Sequence, residues 1–180
     1  MTGKATKELG IVATLSTMAY PPFMTARLSS TMDSLLEGRF GWNIVTSAED
    51  LTAQNFGMDR LPSREERYEA ADEYVELVRQ LFGSWDADAV VLDREGGTYA
   101  DPDKVRPIHF RGKHFSSRGP LDTVPSPQHR PAFVQAGASP RAQAFAARML
   151  TALAWWAHTL RAAREEGLPT DHVPVGVSTG

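Results

Sequence analysis

With 180 residues, 42% of them apolar, the chain is long enough for one sizeable hydrophobic core and short for two. Its 19 basic and 22 acidic residues leave a net charge of −3, which gives no field to attract nucleic acid or an anionic membrane. Cysteine is absent, which excludes a disulfide framework and a thiolate metal site. Neither a membrane-length apolar run nor a signal-peptide core occurs, so the expectation is a cytoplasmic protein without nucleic-acid or membrane partners.

Residues 9–17, LGIVATLST, form an apolar, β-rich run ending in small hydroxyl residues, the pattern of a buried strand whose C-terminal end opens into a site. After the punctuation of Pro21 and Pro22, the residues Met24, Leu28, Met32 and Leu35 recur at helical spacing until Gly38. The spacing predicts a helix with one apolar face. A second strand follows in GWNIVTS, residues 41–47, read as a fully buried parallel strand, so the connections imply a parallel βαβ unit. Asn43 lies inside that run. It is either a satisfied core amide or an amide aimed at a polar ligand beyond the strand end, because a buried amide without partners costs about 1–3 kcal/mol.

The polar stretch after Ser47 has no sustained period and reads as a long loop at a strand C-terminus. Ser63 and Glu66 form a capping box, and Tyr68, Ala71, Val75, Val78 and Phe82 continue as the apolar stripe of a helix closed by Gly83. Residues 84–130, rich in Gly, Pro and Asp, look like an insertion with a hairpin at FRGKHF. A third strand, AFVQA, leads through Gly137 to a helix with Ser139 as N-cap and Pro140 at N1.

The strand ends carry the candidate chemistry. Thr14, Ser16 and Thr17 follow the first strand; Asn43, Thr46 and Ser47 lie in and after the second; Ser139 caps the helix after the third, an ordinary cap or an anion site with Arg141 nearby. Arg64 and Tyr68, one turn apart, share a helix face; they are either a solvated charge and a core aromatic or two groups looking into one site. No zinc-protease helix, Walker A loop, GxGxxG or nucleophile elbow occurs.

Taken together, the run from ATLSTMAYPPF to GWNIVTS, then NFG, REERYEAADEYVELVRQLF, DREGGTYADPDKVRPIHFRGKHF and PSPQHRPAFVQAGASPRAQAFAAR, resembles the bacterial luciferase-like, FMN-dependent monooxygenases of the nitrilotriacetate and dibenzothiophene sulfone monooxygenase group. The resemblance covers residues 9–149 and implies an α/β fold, the third to fifth strands of a (β/α)8 TIM barrel. It implies a partial luciferase-like barrel domain over 1–149 and a divergent helical tail over 150–180, a fragment whose flavin site other strands would complete.

The function implied is that of a two-component monooxygenase. It would use reduced FMN from a separate NAD(P)H-dependent flavin reductase and dioxygen on a small organic substrate, such as an aminopolycarboxylate or an organosulfur compound. The alternative is an inactive remnant or half-barrel interaction fragment. By resemblance the cofactor contacts fall on Thr14, Asn43, Tyr68 and Ser139, and on Arg64 where the family usually has His; no catalytic residue and no metal ligand is implied. An open three-stranded sheet would leave its inner face bare, to be covered by the helix bearing Trp155 and Trp156 or to make the chain a homo-oligomer.

Overall fold

The computed structural model describes residues 6–137 and 139–148. The chain divides between Val134 and Gln135 into two compact units.

In the first unit, β1 (Ile11–Ser16), β2 (Phe40–Val45) and β7 (Ala132–Val134) form one parallel sheet in the order β1-β2-β7. Ile11 lies opposite Phe40 and Ser16 opposite Val45; on the other side of β2, Gly41 lies opposite Ala132 and Asn43 opposite Val134. The parallel βαβ unit read from the sequence is therefore present. Side chains alternate across a strand, and here the two faces differ. Phe40, Trp42 and Ile44 are buried beneath the helices, with the Trp42 ring 5.8 Å from Tyr74 and 5.3 Å from Phe133. The opposite face carries Val12, Thr14, Asn43 and Val134, with Val12 53% and Val134 42% exposed. The strands are thus buried on one face only, which corrects the expectation of full burial; a continuous apolar run does not say whether both faces are covered.

α1 (Pro22–Leu35) connects β1 to β2. Its buried residues are small or polar, namely Pro22, Thr25, Ala26, Ser29, Ser30 and Asp33, whereas Met24, Leu28 and Leu35 are exposed. Of the apolar stripe read from the sequence, Met24, Leu28 and Leu35 lie on the side away from the buried residues, and Met32 is half-buried. Specific bonds hold the inner face instead. Asp33 accepts from the backbone N–H of Phe40 at 3.3 Å and of Gln128 at 2.9 Å, and from Gln128 Nε2, which also donates to Phe40 O at 2.7 Å. One buried carboxylate thereby joins α1, β2 and the segment entering β7.

The loop after β2 contains a five-residue helix, α2 (Asp50–Gln54), that no periodicity announces; Asp50 steadies it by accepting from Leu61 N at 2.8 Å. α3 (Arg64–Phe82) begins at the capping box, in which Ser63 Oγ accepts from Glu66 N and Glu66 returns a bond to Ser63 N. It buries Tyr68, Ala71, Tyr74, Val75, Val78 and Phe82, apolar side chains worth about 1.5–3 kcal/mol each when fully buried, and packs on α1.

The insertion forms two small antiparallel ladders, β3 (Val90–Asp93) with β4 (Thr98–Ala100) and β5 (Phe110–Arg111) with β6 (Ser116–Ser117). The second is the FRGKHF hairpin. In the second unit a helix, α4, spans residues 140–148. The expected Trp155–Trp156 helix and the rest of the 150–180 tail lie outside the described residues.

Candidate functional site at the strand C-terminal ends

The register that sets Thr14 opposite Asn43 puts both side chains on the open face of the sheet. Asn43 Nδ2 donates to Thr14 Oγ1 at 3.0 Å. The amide's other atom, Oδ1, is shielded from solvent and accepts no hydrogen bond from the described chain. The buried-amide question is thereby answered in part: one end of Asn43 is satisfied by its neighbour and the other lacks a donor within the described chain, a deficit of about 1–3 kcal/mol.

Two residues further along β1, Ser16 Oγ lies 2.6 Å from Ser47 Oγ and accepts from Met18 N at 3.2 Å. Ser47 adopts φ +58°, a left-handed conformation uncommon for a residue with a Cβ. Thr17 Oγ1 donates to Val45 O at 3.5 Å. The ends of β1 and β2 are thus tied by hydroxyl groups and carry a short polar ladder, Thr14–Asn43 and then Ser16–Ser47.

At the N-terminus of α3, Arg64 and Tyr68 form a second pair. The Arg64 guanidinium lies 5.8 Å from the centroid of the Tyr68 ring, and Tyr68 is buried while Arg64 is exposed. Ser139, the remaining candidate, belongs to the second unit. There its Oγ accepts from Ala142 N at 3.2 Å and its carbonyl accepts from Gln143 N at 2.9 Å, the N-cap geometry expected from its sequence. A Cβ on Gly137 would lie 2.5 Å from the Ala142 methyl, so a side chain at that turn would have to displace α4.

Two supports were not legible as such in the sequence. Tyr74 donates to Tyr20 O at 2.8 Å and meets Thr25 Oγ1 at 2.6 Å, which ties α3 to α1 and to the loop after β1. Burial raises its phenol pKa, keeping it protonated. Glu73 gathers the backbone N–H groups of Lys113, His114 and Phe115 at 2.6–3.1 Å, and a Cβ on Gly112 would fall 2.0 Å from its Oε1. The Phe115 ring meets Tyr74 edge-on at 5.4 Å. Lys113 also bonds Glu69 at 2.8 Å, which holds the Glu69 carboxyl below its ordinary value and raises the lysine. The only hint of Glu73's partner was the glycine in the hairpin turn.

Among the described residues no group of three or more His, Asp or Glu is placed to hold a metal ion, and no helix is long and apolar enough to cross a membrane.

A parallel α/β layer, with its polar residues gathered at the strand C-terminal ends and one face open, is a segment of a (β/α)8 barrel. The family description "luciferase-like monooxygenase" matches residues 1–172, and the chain belongs to that family. It is 45% identical over 148 residues to the dibenzothiophene-sulfone monooxygenase of Rhodococcus erythropolis, covering 82% of this chain and 33% of that protein. The crystal structure of a long-chain alkane monooxygenase superposes with a TM-score of 0.78 at 43% identity, over 81% of this chain and 34% of the other. That of a riboflavin lyase with modified FMN and riboflavin gives 0.76 at 37% identity, over 96% and 41%. The chain spans about a third of the length of the curated relatives it matches.

Proposed function

We propose that this chain is part of an FMN-dependent monooxygenase that acts on a small organic molecule, such as an organosulfur compound or an aminopolycarboxylate, and works with a separate NAD(P)H-dependent flavin reductase. The observation that carries the reading is the Thr14–Asn43 pair, in which the exposed Thr14 hydroxyl keeps a proton to donate beside an amide oxygen without a partner in a family-matched sheet. Reduced FMN, when bound, supplies the electrons that activate dioxygen.

The chain's own residues bind and orient. Thr14 has accepted the amide hydrogen and keeps its hydroxyl proton to donate, while Asn43 keeps Oδ1 to accept. A ring edge on which carbonyl oxygens alternate with N–H groups, as on a flavin, suits that donor–acceptor pair. Within the second unit, Ser139 and the α4 N-terminus suit an anion such as a phosphate. Tyr68 offers a hydroxyl, and Arg64 a planar guanidinium that suits an anion.

Anaerobic titration of the wild-type chain, Thr14→Val and Asn43→Leu with reduced FMN tests the reading. Each substitution removes one hydrogen bond, about 0.5–1.5 kcal/mol, and is expected to weaken binding about 2- to 13-fold. A wild-type chain that binds no flavin, or variants that bind as wild type does, would sink it. The bare sheet face favours one other reading, a non-catalytic barrel fragment, and flavin binding without oxygen consumption in the presence of a flavin reductase would support that instead.

A further inference from the structure

The loops that leave β1 and β2 at their C-terminal ends carry apolar side chains into solvent. Tyr20, in the first, is 42% exposed; Leu51 and Phe56, in the second, are 71% and 50% exposed. The second loop is nevertheless a folded piece. Asp50 accepts from Leu61 N, Gln54 Nε2 donates to Asp59 O at 3.3 Å, Phe56 N and Met58 N both donate to Ala53 O, and Ala53 is fully buried. Leu51 and Phe56 are thus held outward by a loop closed on itself, at the end of the sheet where a barrel binds its ligands. Burying an alanine while exposing a leucine and a phenylalanine leaves the larger apolar groups for a ligand to cover.

The same loop is acidic. Residues 46–63 hold the exposed Glu49, Asp50 and Asp59 against Arg60, a net charge of −2, and residues 17–22 hold no charge. At the start of α3, Arg64 and Arg67 are matched in number by Glu65 and Glu66. These segments therefore carry no surplus of positive charge to meet carboxylates, and a polyanion would be repelled. Below the loops, the polar atoms are few. Ser16 and Ser47 have two hydroxyl protons; one lies in the bond between them, and Ser16 Oγ already accepts from Met18 N. One proton is left, so the pair offers a single hydrogen-bond donor.

We infer that this site takes an uncharged, apolar organic molecule bearing a hydrogen-bond-accepting oxygen, and that it excludes polycarboxylates. The acceptor lies on the Ser16–Ser47 pair and the apolar body against Tyr20, Leu51 and Phe56. This deepens the functional reading above, on which it rests, by choosing among the substrates that reading allows. Apolar walls with a few placed polar groups are the usual make-up of a small-molecule site.

Saturation-transfer NMR on the full 180-residue chain, without flavin, tests this with three probes: methyl phenyl sulfone, methyl phenyl sulfide, which lacks the oxygens, and nitrilotriacetate. The sulfone is expected to bind about 2- to 13-fold more tightly than the sulfide, the effect of one hydrogen bond, and nitrilotriacetate is expected not to bind. Ser16→Ala/Ser47→Gly, in which the glycine suits the φ of +58°, should bring the sulfone to the sulfide's affinity. Phe56→Lys, at an exposed position, should weaken both about 10-fold and leave their ratio unchanged. Both variants should keep the wild-type far-ultraviolet spectrum. A wild type that binds no sulfone, or binds nitrilotriacetate as tightly, would overturn the inference. So would equal affinities for sulfone and sulfide, a sulfone preference that survives the serine variant, or a Phe56→Lys chain that binds as wild type does. Because no flavin is present, a failure of the reduced-FMN titration would fall on the functional reading alone.

Discussion

Replacing Tyr74 by Phe isolates the hydrogen bonds that fix α3 to the loop after β1. The single phenolic proton goes to Tyr20 O, so the bond with Thr25 is one in which the threonine donates. Removing the hydroxyl deprives two groups, and Thr25 is fully buried. Two net bonds at about 1 kcal/mol each give a loss of about 2 kcal/mol, with an upper end near 3 if the Thr25 hydroxyl finds nothing else. A substitute is at hand in the carbonyl of Pro21 one turn back, which already accepts from Thr25 N at 3.1 Å, so the lower figure is expected. For a chain of this size that is a fall of about 4–8 °C in Tm, readable by calorimetry or urea titration. The double variant Thr25→Val/Tyr74→Phe removes both partners and should recover at least half of the loss, since apolar replacement of a bonded pair is nearly neutral. A Tyr74→Phe change under about 0.5 kcal/mol, or a double variant as damaged as the sum of its singles, would refute the reasoning.

Glu73→Ala should abolish hydrogen-exchange protection at the Lys113, His114 and Phe115 amides while leaving α1 protected, and Gly112→Ala should act similarly because its methyl would occupy the carboxylate's place. The Glu66 carboxyl is held below its ordinary 4.5, first by the Ser63 side chain and then by its backbone N–H. That stabilisation is present above 4.5 and lost as pH falls through the folded value, so Ser63→Ala should flatten the acid side of a melting-temperature profile. His129 is held below its ordinary 6.5, first by burial and then by the neighbouring Arg130. The unfolded chain takes up that proton first, so stability should fall as pH drops through 6.5; His129→Asn, which tolerates the left-handed φ of +57°, should remove the slope in pH-dependent melts.

These contacts also show what the sequence could disclose. β1 and β2 were legible because short apolar runs ended in hydroxyl residues, β7 because a short apolar run followed a Pro-rich approach, and the start of α3 because a capping box is written in four consecutive residues. The FRGKHF turn was legible for the same local reason. The stripe on α1 was visible but its direction was not. Periodicity gives a face without saying what lies against it, and the bonds that turn α1 inward run from Asp33 to Gln128, 95 residues away, and from Thr25 to Tyr74, 49 away. At the site, the adjacency of Thr14 and Asn43 followed once strand register was known. The amide oxygen without a partner did not, since it depends on which end of Asn43 the threonine engages. Ser47's left-handed backbone and Glu73's three-amide grip are likewise products of distant packing.

The polar inner face of α1 also bears on how the molecule responds to temperature. Exposing apolar surface raises the heat capacity of unfolding and exposing polar surface lowers it. A helix docked through Thr25, Ser29, Ser30 and Asp33, with its leucines outside, contributes little of the first and an unusual share of the second. The monomer's heat-capacity increment should accordingly lie below the usual 12–15 or so cal/mol/K per residue, which broadens its stability curve and displaces cold unfolding to lower temperature.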